Sequence, residues 1–184
     1  RMPDVVRTVR EDDTPVTGSA AELLSIVEAA VEALQEMRRA EGERMAAVIA
    51  GRLALVEAAV ARLAARGPER LEAQRVRLSE NVVKLAGGVA VDPQRLAQEI
   101  AILADRLDVG EELDRFGSHI AAFREALSAT NAEPVGKRLG FLLQELLREA
   151  NTTGSKANDA VMLQDVVAVK EELERIREQV ENIE

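Results

Sequence analysis

The chain has 184 residues, 47% of them apolar and only 2% aromatic, and it contains no Trp, Tyr or Cys. A chain of this length can form one or two domains with a hydrophobic core, and a core of Leu, Val, Ile and Ala suits the packing of helices on helices. The lack of Cys excludes disulfides, thiol nucleophiles and Cys metal sites. The formal net charge of -9 disfavours a nucleic-acid partner at first sight, but such binding depends on local basic patches.

The N-terminal segment, residues 1–18, is charged and aperiodic, and we interpret it as a lead-in to the fold. It does not resemble a secretion signal, and no apolar run in the chain approaches the length of a membrane span. We therefore expect a cytoplasmic protein that makes no membrane contact. Ser19 and Glu22 then form a capping-box pattern, which predicts the start of a helix.

A long amphipathic segment follows, and its apolar stripe shifts by one residue after Gly42. The apolar residues at helical spacing are Leu23, Val27, Ala30, Val31, Leu34 and Met37, and then Met45, Val48 or Ile49, Leu53, Val56, Val60 and Leu63. This face is too long for a compact globule, which favours a hairpin arm or a coiled-coil seam. We predict a turn at Gly67-Pro68, because Pro is tolerated at the first position of a helix, and the end of the return helix at Gly87-Gly88.

The rest of the chain shows the boundary signals of further helices. These signals are Asp92-Pro93, the cap pair of Asp108 and Glu111, Pro134, Gly154 and Asn158-Asp159. The last helix carries apolar residues at alternating spacings of four and three, namely Met162, Val166, Val169, Leu173, Ile176, Val180 and Ile183. Such a stripe requires a partner helix, within the chain or from another subunit. We predict an all-α fold of elongated antiparallel helical hairpins with coiled-coil-like arms, divided into a hairpin arm over 19–91 and a helical domain over 92–184.

The segment from Gly136 to Lys156 is the most informative part of the chain. One stripe of its predicted helix is apolar and consists of Leu139, Leu142, Leu143, Leu146 and Ala150. Beside it run two polar rows, one with Arg138, Glu145, Glu149 and either Thr152 or Lys156, the other with Gln144, Arg148, Asn151 and Ser155. Gln, Asn, Thr and Ser are mediocre helix formers, so this density of polar residues suggests a site rather than a solvated face.

The same segment, with its pattern G-K-R-L-x-F-L-L-Q-E-x-x-R-E-x-N-T-x-G-S-K, resembles the C-terminal domain of the YicC/YloC family. The members of this family are bacterial stress-induced proteins described as endoribonucleases. Residues 108–119 and 173–184 agree with the family, and residues 38–42 agree more weakly. Gly140 and Leu147 depart from the usual Asp and Asn, and we expect the strand-rich N-terminal portion of the family to be absent from this chain.

The resemblance implies a metal-dependent endoribonuclease that works within a ring-like homo-oligomer, a hexamer, in the bacterial cytoplasm. It implies a Mg²⁺ or Mn²⁺ ion that activates water or polarises a phosphate, while basic residues position the RNA. The expected metal-facing and catalytic residues are Glu112, Glu145, Glu149 and His119, the last as a ligand or a general acid/base. The expected RNA-binding residues are Lys137, Arg138, Arg148 and Lys156.

Each of these residues also has an ordinary structural interpretation, which the sequence leaves open. His119, the only histidine, can be a structural hydrogen-bonding group, and the basic residues can serve solubility. Glu145 and Glu149 can form ion pairs with basic residues of their own helix. Base stacking is nearly excluded, because all three Phe can belong to the core. The alternative function is a non-catalytic scaffold or RNA-binding regulator that assembles through coiled-coil arms.

Overall fold

The computed structural model describes residues 18–87, 91–128 and 135–181. These residues form five helices: α1 (Ala20–Ala86), α2 (Pro93–Leu107), α3 (Gly110–Ser128), α4 (Gly136–Ala157) and α5 (Ala160–Val180). No strand occurs within these three ranges, which confirms the predicted all-α class. None of the described helices combines the length and the apolar character that a membrane crossing requires. The predicted lead-in up to residue 17, and Pro134, lie outside the described residues.

The first helix begins at the predicted capping box. Ser19 N donates a hydrogen bond to Glu22 Oε2 at 2.7 Å, and Glu22 N donates to Ser19 Oγ at 3.2 Å. The backbone hydrogen bond from Ser19, followed by the bond from its hydroxyl, holds the pKa of the Glu22 carboxyl below its ordinary value. The reciprocal cap therefore satisfies two backbone donors at the start of α1.

The predicted turn at Gly67-Pro68 is wrong, because α1 continues through it to Ala86 with Pro68 inside the helix. An internal Pro costs one backbone hydrogen bond and favours a kink or an end, so other contacts must stabilise the helix here. Arg66 and Arg70, on either side of Pro68, supply them. Arg66 Nη2 lies 3.2 Å from Asp159 Oδ2, and Arg70 Nη1 donates to Ala157 O at 2.6 Å. These tertiary contacts outweigh the local turn signal.

The chain divides into two units, residues 1–41 and 42–184, and α1 contributes to both. In the described part of the first unit, the predicted apolar stripe of α1 is exposed to solvent. The large exposed apolar residues of this unit are the stripe residues Leu23, Val27, Val31, Leu34 and Met37, together with Leu24 and Ile26 beside them.

In the second unit, the later part of α1 packs with α3, α4 and α5 around one main core. The stripes predicted for α4 and α5 are buried, with Met162 and Val166 in a second, smaller cluster and Ile183 outside the described residues. The fully buried side chains include Ile49, Leu53, Phe116, Phe123, Leu139, Leu146, Leu173 and Ile176. The partner that the α5 stripe requires is therefore supplied by the same chain.

The connection between α4 and α5 lies at Asn158-Asp159, as predicted. Asn158 has a left-handed backbone (φ 41°), and the Asp159 side chain accepts a hydrogen bond from Met162 N at 2.9 Å to cap α5. The predicted break at Gly154 is wrong, because Gly154 lies inside α4. A Cβ at this position would lie 3.2 Å from Val166 Cγ1, so the glycine allows α5 to approach α4 closely.

Arginines of α1 fix the position of this connection. Arg70 is buried, and besides Ala157 O its guanidinium donates to Lys156 O at 3.0 Å and to Leu107 O. It thus binds carbonyl groups at the C-terminal ends of both α4 and α2, which carry partial negative charge. Burial lowers the pKa of Arg70, and the nearby carboxylates of Asp159 and Asp108 partly offset this effect.

The short helix α2 begins at the predicted Asp92-Pro93 signal, where Asp92 Oδ1 accepts a hydrogen bond from Gln94 N at 2.9 Å. It packs against α4, but Leu107 at its end is its only buried residue. A cavity of about 560 Å³ lies between the end of α2, the start of α3 and the part of α1 around Pro68.

Candidate functional site

Two acidic side chains, Glu112 of α3 and Glu149 of α4, are buried where these helices pack against each other. Lys156 Nζ donates a hydrogen bond to Glu112 Oε1 at 2.9 Å, and Arg115 Nη1 lies 3.7 Å from Glu149 Oε1. Each helix thus contributes one carboxylate and one cation, and the two ion pairs cross the interface in opposite directions. Because a buried carboxylate is costly unless it is paired, each cation also stabilises the fold.

Two oxygen atoms of these helices are buried without a hydrogen-bond partner. They are Glu112 Oε2 and Thr153 Oγ1. Thr153 follows Glu149 by one helical turn and precedes Lys156 by three residues, so it lies between the two ion pairs along α4. Buried polar atoms are nearly always satisfied in folded proteins. These two oxygens therefore retain hydrogen-bonding capacity that the described residues do not use.

Three acidic residues at the start of α3 make different contacts. Asp108 Oδ1 accepts a hydrogen bond from Gly110 N at 2.8 Å, so Asp108 binds the first amide of α3, although Val109 and not Asp108 directly precedes the helix. Glu111, which we predicted to complete the cap, is exposed and instead pairs with Arg115 one turn later. Asp108 therefore binds the backbone at the start of the helix, and Glu111 forms a surface ion pair. Only Glu112 is directed towards α4.

His119 and Glu145 are half-buried and lie further along the same two helices. The Glu112–Lys156 and Arg115–Glu149 pairs define an antiparallel register between α3 and α4. By this register, His119 lies level with the α4 turn that contains Glu145 and Glu149. The four predicted metal-facing residues therefore belong to one pair of helices.

The acidic side chains fit a divalent ion that takes few protein ligands. Within the described ranges, no three or more acidic or His side chains come together as a metal-binding group. Mg²⁺ commonly uses only one or two carboxylates and completes its shell with water and substrate phosphates. Glu112, which has one buried oxygen without a hydrogen-bond partner, and Glu149 are the buried carboxylates that such an ion could use.

The four predicted RNA-binding residues fall into two groups. Lys137, Arg138 and Arg148 are exposed on α4 and form no ion pair with any carboxylate that the structure describes. Lys156 instead lies at the interface with α3, where Glu112 occupies its ammonium group. Only the first group is therefore placed to contact phosphates at the protein surface.

The contacts of the α4 polar rows differ from those expected of an ordinary charged helix surface. Glu149 is buried and contacts Arg115 of α3, so the alternative of a surface pair within α4 is wrong for this residue. Two hydroxyl groups bond to their own helix, since Thr152 Oγ1 donates to Arg148 O at 3.1 Å and Ser155 Oγ donates to Thr152 O at 2.8 Å. These two residues therefore have a local role.

Sequence reasoning missed Arg115 and Thr153 as members of this interface. Helical spacing could have identified Arg115, since it follows Glu112 by three residues and precedes His119 by four. No comparable signal existed for the burial of Thr153, because burial of a polar residue depends on tertiary packing.

Phe141 also departs from the expectation that the aromatic residues form the core. Its side chain is 59% exposed, whereas Phe116 and Phe123 are fully buried. The argument that excluded base stacking therefore fails for this residue.

Comparisons with known proteins agree with the resemblance seen in the sequence. A family model described as "Endoribonuclease YicC-like, C-terminal" matches residues 63–184. The chain is 37% identical over 186 residues to a protein of Clostridioides difficile (strain 630), and 34% identical over 184 residues to one of Haemophilus influenzae. Both relatives are named "Probable endoribonuclease YicC". Each match covers 100% of this chain and 62% of the relative, so the chain spans about three fifths of their length.

Proposed function

Because this chain belongs to the YicC-like family, we propose that it takes part in metal-dependent cleavage of RNA phosphodiester bonds, with the α3–α4 interface as the active site. The observation that carries this proposal is the burial of two carboxylates, Glu112 and Glu149, at the packing of α3 on α4, where one Glu112 oxygen has no hydrogen-bond partner. Replacing a buried ion pair by apolar residues often leaves stability unchanged or increases it. Two such pairs in one interface therefore favour a chemical role over a purely structural one.

The residues that would hold a Mg²⁺ or Mn²⁺ ion are Glu112 and Glu149, with Glu145 and His119 as further candidates. When bound, the ion would polarise a phosphate oxygen of the RNA and activate a water molecule. The support for this assignment is the chemistry of the side chains, since hard divalent ions prefer carboxylate oxygens.

The surrounding side chains have separate roles in this proposal. Arg115 and Lys156 offset the charge of the buried carboxylates and fix their orientation. His119 serves as a general base, which takes the proton of the attacking oxygen, or as a general acid, which gives a proton to the leaving oxygen. The exposed Lys137, Arg138 and Arg148 hold the RNA through its phosphates, which gives affinity with little base preference.

We also propose that the chain forms a homo-oligomer in the cytoplasm, and specifically a hexameric ring. The support is the exposed apolar stripe of the first unit, since contiguous exposed apolar surface commonly marks an interface. Light scattering at micromolar concentration should show an assembly, and Leu23→Glu with Ile26→Glu should weaken it. A stable monomer would contradict this part of the proposal without affecting the site.

A second candidate function is a non-catalytic, RNA-binding scaffold. The observation in its favour is that each buried carboxylate already lies beside a cation, Lys156 or Arg115, of the same chain. In a scaffold these pairs would serve only the packing of α3 on α4. Such a protein would bind RNA through the exposed cations of α4 and would have no need of a divalent ion.

Cleavage of structured RNA by the natural full-length protein distinguishes the two functions. We expect cleavage with Mg²⁺ or Mn²⁺ and none in EDTA, and we expect Glu112→Gln with Glu149→Gln to lower the rate by about a hundredfold or more. Glu125→Gln, which changes an exposed carboxylate of the same helix, is the matched control and should cleave normally. Circular dichroism shows whether the double variant folds. Full cleavage by a folded double variant, or cleavage in EDTA, would exclude the proposed site.

A further inference from the structure

We infer that the exposed face of α4 is a binding site for single-stranded RNA, in which an unpaired nucleobase stacks on the ring of Phe141. The face consists of Lys137, Phe141, Gln144, Arg148, Asn151 and Ser155, and we call it the outer stripe. The inference rests on the proposed action on RNA, and it adds the class of substrate and a residue that recognises it.

The outer stripe is continuous along the helix. Its members follow one another at alternating spacings of four and three residues, so they lie one above the next on a single face. All six are exposed, and the buried stripe of α4 faces the core. From Lys137 to Arg148 the helix rises by about 16 Å, a length that suits a short stretch of single strand.

The exposure of Phe141 is not required by the fold. Phe116 and Phe123 supply aromatic packing inside the core, whereas Phe141 leaves 59% of its side chain in contact with solvent. A single exposed apolar residue is ordinary in itself. The informative feature is the set of residues next to it, because a cationic side chain precedes it in the stripe and hydrogen-bonding and cationic side chains follow it.

The charges near Phe141 suit a phosphate backbone. Lys137 and Arg138 lie about one turn before Phe141, and Arg148 lies two turns after it. None of the three forms an ion pair with a carboxylate in the described parts of the chain, although many other arginines, such as Arg62 and Arg124, do. Lys137 and Arg148 on the outer stripe, with Arg138 beside it, form a local basic patch in a chain of net charge -9, and an anionic strand would complement this patch.

The exposed ring and the amides of the stripe favour single-stranded RNA over a duplex. An exposed ring can stack only on a base that is splayed out of a helix, and the bases of a duplex are stacked on one another. The amides of Gln144 and Asn151, one and three turns beyond Phe141, offer donors and acceptors to the edges of such bases. The cations then contact the flanking phosphates.

A tryptophan reporter tests the stacking directly. The chain contains no Trp or Tyr, so Phe141→Trp introduces the only strong fluorophore. We titrate this variant with a short single-stranded oligoribonucleotide in EDTA, which prevents metal-dependent cleavage. Stacking of a base should quench the fluorescence. The control Val167→Trp, at a position on α5 that is 53% exposed, should bind the RNA equally well without comparable quenching.

Affinity measurements test whether the contact matters. Phe141→Ala should weaken binding of the single strand by about fivefold to a hundredfold, the range expected when one base–aromatic stack is lost. Phe141→Leu should show most of the same loss, because it keeps apolar bulk but lacks a ring. Binding of duplex RNA of equal length should be weak and unchanged by either substitution. Thermal unfolding should be nearly unaffected, since the side chain is exposed.

The outcomes separate this inference from the proposed function. If RNA binds with a strong salt dependence, but Phe141→Trp is not quenched and Phe141→Ala binds normally, the inference is wrong and the proposed function stands. If no RNA binds, both are wrong. If Phe141→Trp shows a concentration-dependent spectral shift without RNA, and RNA does not reverse it, the ring belongs to a contact between protein chains and the inference is wrong.

Discussion

Lys156 and Glu112 form the ion pair that connects the last turn of α4 to the first turn of α3, with 2.9 Å between Nζ and Oε1. The two side chains differ in exposure, since the carboxylate is 6% exposed and the ammonium group belongs to a side chain that is 32% exposed. The pair is therefore asymmetric. Water can solvate Lys156 if Glu112 is removed, but little water can solvate Glu112 if Lys156 is removed.

This asymmetry leads to our first prediction. Lys156→Met should lower the free energy of unfolding by about 2–3 kcal/mol, because it leaves a buried carboxylate unpaired. Glu112→Gln should cost less, and the double variant should be more stable than Lys156→Met alone. Urea unfolding of the four proteins measures these differences, with Lys137→Met, an exposed lysine of the same helix, as the control. Additive effects of the two substitutions would show that the pair is not coupled.

The second prediction concerns Arg70. Arg70→Met keeps most of the volume but removes the donors that bind Leu107 O, Lys156 O and Ala157 O. We expect a loss of about 3 kcal/mol or more in the free energy of unfolding, because helix-end carbonyls remain buried without partners. Arg75→Met is the matched control, since Arg75 is exposed on the same helix and pairs only with Glu72 at 2.6 Å among the described residues. It should change stability by less than about 0.5 kcal/mol. Equal losses in the two variants would contradict the role given to Arg70.

The third prediction compares two glycines of α4. At Gly140 no atom lies within 4 Å of the position a Cβ would take, so Gly140→Ala should stabilise the protein by about 0.5–1 kcal/mol through helix propensity. At Gly154 a side chain would meet Val166, so Gly154→Val should destabilise it by about 1–3 kcal/mol. Thermal unfolding of both variants tests this. Effects of the same sign would show that α5 yields easily at this contact.

The fourth prediction concerns pH. The hydrogen bond from Met162 N, and next the contact with Arg66, lower the pKa of Asp159 below its ordinary value of 3.8. A carboxyl whose pKa is lowered by folding stabilises the native state above the pKa of the unfolded chain, and this contribution disappears as pH falls through the lower, folded value. Asp159→Asn keeps a good cap but removes the charge, so it should be less stable than the parent by about 0.5–1 kcal/mol at pH 7.

The difference between these two proteins should shrink as pH falls from about 5 towards 2, because the parent Asp159 becomes protonated. Chemical unfolding across this range measures it. Asp114→Asn, an exposed substitution on α3, controls for the loss of one surface carboxylate. A difference that stays constant down to pH 2 would mean that the charge of Asp159 contributes nothing.

The apolar stripes of α4 and α5 were predictable because helical periodicity is a local property of the sequence. Leu139, Leu146, Leu173 and Ile176 are all buried, as predicted. The continuation of α1 through Gly67-Pro68 was not predictable in the same way. The helix continues because Arg66 and Arg70 contact groups more than 80 positions away in the chain. The sequence around the proline contains no pattern that predicts such contacts.

In the candidate site, too, local features were predictable and contacts between helices were not. Spacing within α4 identified Glu145 and Glu149 as a pair on one helix, and composition marked that helix as unusual. The partners were not predictable, because Glu112–Lys156 and Arg115–Glu149 depend on the register between two helices. Sequence reasoning also allowed all three Phe to belong to the core, and Phe141 does not.

The single buried residue of α2, Leu107, has a consequence for how this helix opens. With its last residue buried and Leu107 O bound to Arg70, α2 is held at its C-terminal end. The turns that begin at Pro93 bury no residue and can separate from the fold at far lower cost than global unfolding. Amide hydrogen exchange should therefore show a gradient along α2, fast near Gln94 and slow at Leu107, with the core amides of α4 exchanging last.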